Sequence, residues 1–291
     1  MTQPRLGRHR GASRFIPIVW PAWLIWALTS CASEPEPEPE RAAATASAPT
    51  AVPATVPEAA AATGRPSFSV DGLADAPLCP GTSPRTEGLL SVSLRLIRGP
   101  GVSRADARVV GETIRTVWDR LGLRVQLTDP TALPDTTPDR LFDTTATTED
   151  AQLAPLRAVL HAVPDGSSIA VVVMPRFVDG PSPLSAFRGL TVPVHGSAEA
   201  AASTSDAFVE SNPHPWPVVF VNLAAGPRAP GDLSLSPAHE VGHALGLNHR
   251  SRDTALMSAG DLSLRCLAGL SPQEWQTLAS ESAHASTHPG L

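Results

Sequence analysis

Residues 239–249 read HEVGHALGLNH. His239 and His243 are four residues apart, so on a helix they lie one turn apart on the same face. Two imidazoles in this arrangement can bind one Zn²⁺, each at about 2.0–2.1 Å. Glu240 is rotated one helical step away, which makes it a poor ligand for that ion but suits it to hold a water there. The spacing therefore predicts a helix that binds a metal ion.

The end of the stretch predicts a turn that brings the chain back to the same ion. Gly246 stands where the helix would end, and glycine most easily adopts the left-handed conformation that follows a helix. After such a turn, His249 can supply a third nitrogen ligand. Three protein ligands leave the fourth position open, which is the arrangement of catalytic zinc sites and not of closed structural ones.

The stretch matches every fixed position of H-E-x-x-H-x-x-G-x-x-H and so resembles the signature of the metzincin zinc peptidases. In that family a Met-turn follows, for which residues 255–259, Ala-Leu-Met-Ser-Ala, are the candidate. The resemblance implies hydrolysis of a peptide bond, with Glu240 as general base and Met257 as an apolar floor beneath the histidines. The chain has no Tyr, which fits the matrixin-like branch, although Ser258-Ala259 departs from the usual Tyr-Pro of matrixins.

The rest of the catalytic domain, placed at residues 88–284, shows alternating strand and helix patterns. An apolar alternation predicts a strand at 89–97, and a second strand follows at 123–127. Between them, a stripe of apolar residues predicts a helix that Ser103 caps and that ends near Leu121. A strand, a helix and a strand in some forty residues form a βαβ unit with parallel strands. The remaining predicted elements are a helix at 151–161 and strands at 168–174, 189–194 and 216–223.

This order resembles the N-terminal subdomain of metzincins and implies an α+β, zincin-like fold. We expect a twisted, mostly parallel five-stranded sheet with an antiparallel edge strand, and the active-site helix behind it. By resemblance, residues 189–194 are the edge strand that binds the substrate backbone, which Pro193 shortens. Residues 129–150 are expected to be an insertion loop. Asp232, Ser234 or Ser236 is expected to cap the active-site helix, with Pro237 in its first turn.

A small C-terminal subdomain is expected after His249, with the Met-turn and a final helix that ends near Ser282. Ser271 is its predicted N-cap, Pro272 its first residue, and Glu274 completes a capping box. Residues 285–291 form a tail. Cys79 and Cys266 are expected to form a disulfide if the protein is exported. The alternative is that Cys79 is a thiolate that occupies the zinc in a latent form.

Residues 1–30 have the features of an export signal. Four arginines precede an apolar stretch at 15–28, which is shorter than the about 20 residues of a spanning helix. The segment ends in Leu28-Thr29-Ser30-Cys31 and so resembles the bacterial lipobox, which implies that Cys31 carries the lipid. The alternatives are an ordinary cleaved signal peptide and an uncleaved anchor, in both of which Cys31 has no special role. Residues 31–87 comprise this cysteine, a Pro/Glu/Ala-rich disordered linker and a lead-in. Because Ala32 and not Asp follows the cysteine, the resemblance places the protein at the outer membrane of the cell envelope.

Composition limits the possible partners. The net charge is −6 and becomes more negative once the arginine-rich signal is removed, which is unfavourable for nucleic-acid binding. Together, the metzincin and lipobox resemblances imply a monomeric, lipid-anchored zinc endopeptidase that acts on a protein or peptide. Two alternatives share the site: a catalytically idle, zinc-stabilised binding lipoprotein, and a hydrolase of cell-wall peptides.

Overall fold

The computed structural model describes residues 72–79, 90–166, 168–194, 211–225, 233–249, 256–258, 263–264, 266–267 and 269–278. The export signal, Cys31, the Pro/Glu/Ala-rich linker and the tail lie outside the described residues. In the part of the chain that is described, no helix is long and apolar enough to cross a membrane.

The first three elements form the βαβ unit that the sequence predicts. They are β1 (Leu90–Arg98), α1 (Arg104–Leu121) and β2 (Leu123–Leu127). Ser103 caps α1 because its side chain accepts a hydrogen bond from the backbone N–H of Asp106, and Gly122 ends the helix with a φ of 97°. β1 and β2 pair in parallel, as expected for strands joined by a crossover helix.

The later elements complete one large sheet and its helices. They are β3 (Thr131–Ala132), α2 (Glu149–Ala162), β4 (Ile169–Met174), β5 (Gly189–Val192), β6 (Val218–Asn222), β7 (Leu233–Ser234), α3 (Ser236–Ala244), β8 (Ser263–Leu264) and α4 at residues 272–278. The strand order is β2-β1-β4-β6-β5, with the short β3 also paired to β1. All pairs in this sheet are parallel except β5 with β6, so the predicted mostly parallel sheet with an antiparallel edge strand is confirmed. The sheet has six strands and not the predicted five, because β3 adds a short sixth strand.

Each face of the sheet covers its own hydrophobic cluster, because successive side chains of a strand point to opposite faces. On the face that we call the α3 face, residues such as Leu96 and Val171 pack with α1, with α3 and with the lead-in segment 72–79. On the α2 face, residues such as Val172 and Phe220 pack with α2. β4 and β6 are buried along their whole length, as expected for central strands covered on both sides.

Residues 129–150 are more than the predicted insertion loop. β3 adds a short parallel pairing to β1, and Leu141 and Phe142 are buried in the cluster on the α2 face. The sequence does not predict this burial, because Leu141 and Phe142 are isolated apolar residues in a Thr/Asp/Pro-rich segment and form no periodic pattern.

The prediction that a side chain caps α3 is also wrong for the candidates that the structure describes, Ser234 and Ser236. The helix begins at Ser236 after Leu235, which makes no side-chain capping bond, and Pro237 occupies the first turn as predicted. Ser234 lies in β7, and Asp232 lies outside the described residues. Because Pro237 has no N–H, the first turn has one donor fewer to satisfy.

The C-terminal segments fold back onto the α3 face. The backbone N–H of Ser271 donates to Glu274 Oε2 at 2.6 Å, and the N–H of Glu274 donates to Ser271 Oγ at 3.3 Å, so the predicted capping box is present. Cys79 and Cys266 form the expected disulfide, which excludes Cys79 as a free thiolate ligand. The backbone N–H of Cys79 also donates to the carbonyl of Leu267 at 2.9 Å.

Candidate zinc site

α3 carries His239, Glu240 and His243, and its opposite side is buried in the core. Ala238 and Val241 are fully buried, and the indole N–H of Trp118 on α1 donates to the carbonyl of Ala238 at 3.1 Å. This buried hydrogen bond and the apolar contacts fix the rotation of α3 about its axis. That rotation decides the direction in which the two histidines point.

The turn after α3 returns the chain to the helix, as the sequence predicts. Gly246 has a φ of 83°. Its N–H donates to the carbonyl of His243 at 3.0 Å, and the N–H of Leu247 donates to that of Gly242 at 3.0 Å. These two bonds form a Schellman motif around a left-handed glycine. His249 follows three residues after Gly246 and points back at the helix.

The three imidazoles meet at one point. The Nε2 atoms of His239 and His243 are 3.1 Å apart, those of His243 and His249 are 3.0 Å apart, and those of His249 and His239 are 3.3 Å apart. In a tetrahedral site with Zn–N distances of about 2.0–2.1 Å, the ligand atoms are about 3.3–3.4 Å apart. The observed separations match this geometry to within a few tenths of an ångström, so the group fits Zn²⁺.

The hydrogen bonds of the other ring nitrogens direct the Nε2 lone pairs to this point. His239 Nδ1 lies 2.8 Å from the carbonyl of Leu256, and His243 Nδ1 lies 2.8 Å from that of Leu247. A carbonyl can only accept, so each Nδ1 is the protonated nitrogen of a neutral ring, and each Nε2 is a free acceptor. Facing acceptors repel one another without a cation, so this donor set is built for a metal ion.

Burial keeps the imidazoles neutral and therefore able to bind a metal ion. It lowers the pKa of His239 to about 4 and, together with the two neighbouring histidines, lowers the pKa of His243 to about 3. The pKa of His249 is also lowered by burial. A protonated imidazole cannot coordinate a metal, so these lowered pKa values favour metal binding at neutral pH.

Glu240 lies against β5, the edge strand of the sheet. Burial raises the pKa of Glu240 to about 7, and a hydrogen bond from Thr191 opposes that rise. Thr191 Oγ1 lies 2.9 Å from Glu240 Oε2 and 2.9 Å from the carbonyl oxygen of Glu240. A carboxyl group with a pKa near neutrality can both accept and release a proton at physiological pH.

Met257 lies beneath the helix turn that carries the histidines. It is fully buried, and a Cβ added at Gly242 would overlap with its sulfur atom. The preceding residue, Leu256, supplies the carbonyl that holds His239, and its own N–H donates to the carbonyl of Gly269 at 3.1 Å. The segment 256–258 therefore supports the metal-binding helix from below.

The structure brings together His239, His243 and His249, with Glu240 on the same helix and Met257 below it. No sequence pattern indicates four supporting groups: Gly189, Thr191, and the carbonyls of Leu247 and Leu256. Gly189 and Thr191 are two residues apart in a predicted strand, which puts them on one face. No local pattern indicates that Glu240 packs against that face.

No family model matches this chain, and no curated protein matches it. Solved structures that are similar to part of this chain include three metallopeptidases. Metalloproteinase-II from Bacteroides fragilis is 13% identical, with a TM-score of 0.42 over 70% of this chain, which spans only 56% of the Bacteroides chain. Archaemetzincin from Methanopyrus kandleri is 15% identical, with a TM-score of 0.41 over 68% of this chain and 97% of its own. A zinc-dependent peptidase from Methanocorpusculum labreanum is 17% identical, with a TM-score of 0.37 over 64% and 99%. Values this low assign no function to this chain.

Proposed function

We propose that this protein is a zinc-dependent endopeptidase in which His239, His243 and His249 hold the metal and Glu240 is the general base. The observation that carries the proposal is the convergence of three Nε2 atoms within 3.3 Å of one another. Three protein ligands are the number that leaves room for a reactant at a catalytic zinc. A structural site would be expected to supply a fourth ligand.

The residues divide the chemistry of peptide hydrolysis between them. A bound Zn²⁺ would supply a Lewis acid that polarises the scissile carbonyl and acidifies water. Glu240 takes one proton from the water whose oxygen attacks the carbonyl carbon, and it delivers that proton to the nitrogen as the C–N bond breaks. Burial raises the pKa of Glu240, which makes its carboxylate a stronger base for the first transfer.

The edge strand β5 offers a place for the substrate backbone. Within the described residues β5 pairs with β6 alone, which supports its other edge as the place for an extended peptide. A peptide added to this edge would gain main-chain hydrogen bonds with little demand on its sequence. Pro193 directly follows β5 and lacks an N–H, so the ladder would be short.

Replacing Glu240 by Gln tests the proposal directly. The amide is nearly the same size but cannot accept the proton, so we expect hydrolysis of casein by the purified protein to fall about 10²- to 10⁴-fold. Zinc content, measured by inductively coupled plasma mass spectrometry, should stay at one ion per chain. The matched control is Glu112→Gln on α1, which forms an exposed ion pair with Arg115 and should leave hydrolysis unchanged.

The same measurement separates the alternatives. A catalytically idle binding protein would retain zinc and show no hydrolysis in the wild type. A cell-wall peptide hydrolase would leave casein intact, and Glu240→Gln would abolish its release of peptides from purified sacculi. Loss of hydrolysis on chelation and recovery with Zn²⁺ is expected of either enzyme. A wild-type protein that binds no zinc would contradict all three readings.

Within the metzincins we propose a matrixin-like subtype, with Met257 as the methionine of the Met-turn. Its support is the buried position of Met257 beneath Gly242 and the absence of Tyr from the chain. We also propose export and lipid attachment at Cys31, which is supported by the lipobox-like residues 28–31. If this is correct, labelled palmitate is incorporated into the wild type, and Cys31→Ser abolishes the incorporation.

A further inference from the structure

Two residues of β5 meet the side chain of Glu240. Gly189 and Thr191 are two positions apart and so point to the same face of the sheet, the α3 face. Their register is fixed by antiparallel pairing with β6, Gly189 with Val221 and Thr191 with Val219. The base and the edge strand are therefore in direct contact, although 49 residues separate Thr191 from Glu240.

Gly189 lets the side chain of Glu240 lie directly on the strand backbone. A Cβ added at Gly189 would overlap with Cγ of Glu240 and would lie 2.8 Å from its Cδ and 2.9 Å from Oε1. Real Cβ atoms are not found this close to other heavy atoms, so any larger residue would push the carboxyl group away. The backbone of Gly189 therefore forms one side of the space that the carboxyl group of Glu240 occupies.

Thr191 holds the other side of the carboxyl group. Its Oγ1 is 2.9 Å from Oε2 and also 2.9 Å from the backbone carbonyl of Glu240. Hydrogen bonds to charged acceptors are stronger than neutral ones. The hydroxyl has one proton, which the carboxylate and the backbone carbonyl of Glu240 share, and this contact restricts the rotamers of the Glu240 side chain.

We propose that Thr191 is a positioning residue for Glu240, and that β5 aligns the base through Thr191 and Gly189 at the strand to which the substrate would add. This inference rests on the proposed function. Thr191 acts through Glu240, so its loss should lower kcat and leave KM and zinc binding nearly unchanged. A substitution that preserves the hydroxyl should preserve the alignment.

The test compares Thr191→Val with Thr191→Ser in the full-length protein. Valine keeps the shape and removes the hydroxyl, whereas serine keeps the hydroxyl. We expect Thr191→Val to lower kcat for casein-derived peptides about 10- to 100-fold, as the loss of a hydrogen bond to a charged group implies. KM should change less than about twofold, and Thr191→Ser should recover most of kcat.

Thr113→Val is the matched control. Thr113 Oγ1 donates to the carbonyl of Val109 within α1, so this variant also removes a hydroxyl bonded to a backbone carbonyl, but no carboxyl group is involved. It should leave kcat unchanged. If Thr113→Val and Thr191→Val lowered kcat equally, a general loss of stability would explain both, and the positioning role would be refuted.

A second readout does not depend on activity. Tm is measured for the zinc-loaded wild type, Thr191→Val, Glu240→Ala and the double variant. If the hydroxyl holds the carboxyl group, Thr191→Val lowers Tm more in the wild type than in the Glu240→Ala background, because neighbouring groups that interact are not additive. If Thr191→Val lowered Tm equally in the wild type and in the Glu240→Ala background, the proposed contact between Thr191 and Glu240 would be refuted.

The outcomes distinguish the inference from the function on which it rests. A wild type that hydrolyses no peptide refutes the proposed function and the catalytic part of the inference, while the Tm cycle still decides the contact. An active wild type with an equally active Thr191→Val protein overturns the inference alone. A Thr191→Val protein that loses zinc also overturns it, since the residue would then support the metal site and not the base.

Discussion

The α3 face and the α2 face of the sheet are formed by alternate residues of the same strands, and β5 shows best how the two faces differ. On the α2 face it presents Leu190 and Val192, which pack into the hydrophobic cluster there. On the α3 face it presents Gly189 and Thr191, which contact Glu240. Large apolar residues face the structural cluster, while a missing side chain and a hydroxyl face the site.

This difference shows how one strand can serve stability and chemistry without conflict. Burial of Val192, which is fully inaccessible, stabilises the fold whatever lies on the other side. The residues on the α3 face are freed from filling the core and can be chosen for their fit to the carboxyl group. The two faces should therefore respond differently to substitution.

The largest effect on activity is expected when a metal ligand on the α3 face is replaced. His249→Ala should remove one of three ligands, so bound zinc and hydrolysis should both fall below detection at micromolar free zinc. The control is His161→Ala, an exposed histidine of α2, which should retain both. Equal zinc content in the two variants would contradict the role of His249.

The next largest effect is expected on the free energy of unfolding when the disulfide is removed. Cys79 and Cys266 are separated by 187 residues, and loss of a native disulfide typically costs about 2–5 kcal/mol. Chemical denaturation of the Cys79→Ser/Cys266→Ser protein measures the change. Because the chain near Cys266 also holds Leu256 through Gly269, we expect zinc to be lost at lower chelator concentration. Unchanged chelator resistance would show that the lead-in does not support the site.

On the α2 face, Leu156→Ala should affect stability alone. Leu156 is fully buried on α2, and truncation of a buried leucine costs about 2–5 kcal/mol because it leaves a cavity. The kcat of the protein that remains folded should equal that of the wild type. A kcat reduced in proportion to the lost stability would show that the two faces are not independent.

The smallest effect on stability, with a clear effect on activity, is expected at Gly189. In Gly189→Ala the added Cβ displaces the Glu240 side chain, so we expect kcat to fall about 10- to 100-fold, or about 1.4–2.7 kcal/mol of activation free energy. Val192→Ala, on the opposite face of the same strand, should lower Tm and spare kcat. The reverse pattern would contradict the division between the faces.

Much of the fold follows from local patterns in the sequence. The Ser103 cap and the Gly122 stop of α1 and the capping box of α4 each depend on residues within about one helical turn of one another. The βαβ unit follows from apolar periodicities within some forty consecutive residues. The sequence did not reveal that Leu141 and Phe142 are buried, because isolated apolar residues in a polar segment carry no periodic signal. The sequence also did not identify the residue before α3, because Asp232, Ser234 and Ser236 were equally good candidates for the cap. The structure has Leu235 there, without a side-chain capping bond.

By itself, the sequence determined the spacing of the zinc ligands and the turn at Gly246. The helical period puts His239 and His243 on one face, and a left-handed glycine returns the chain toward His249. Only the tertiary structure decided that Leu256 orients His239 across 17 residues, and that Thr191 reaches Glu240 across 49. Helix and turn geometry are set by short-range hydrogen bonds along the chain. Contacts between distant segments depend on how the sheet and helices pack, and no local pattern encodes them.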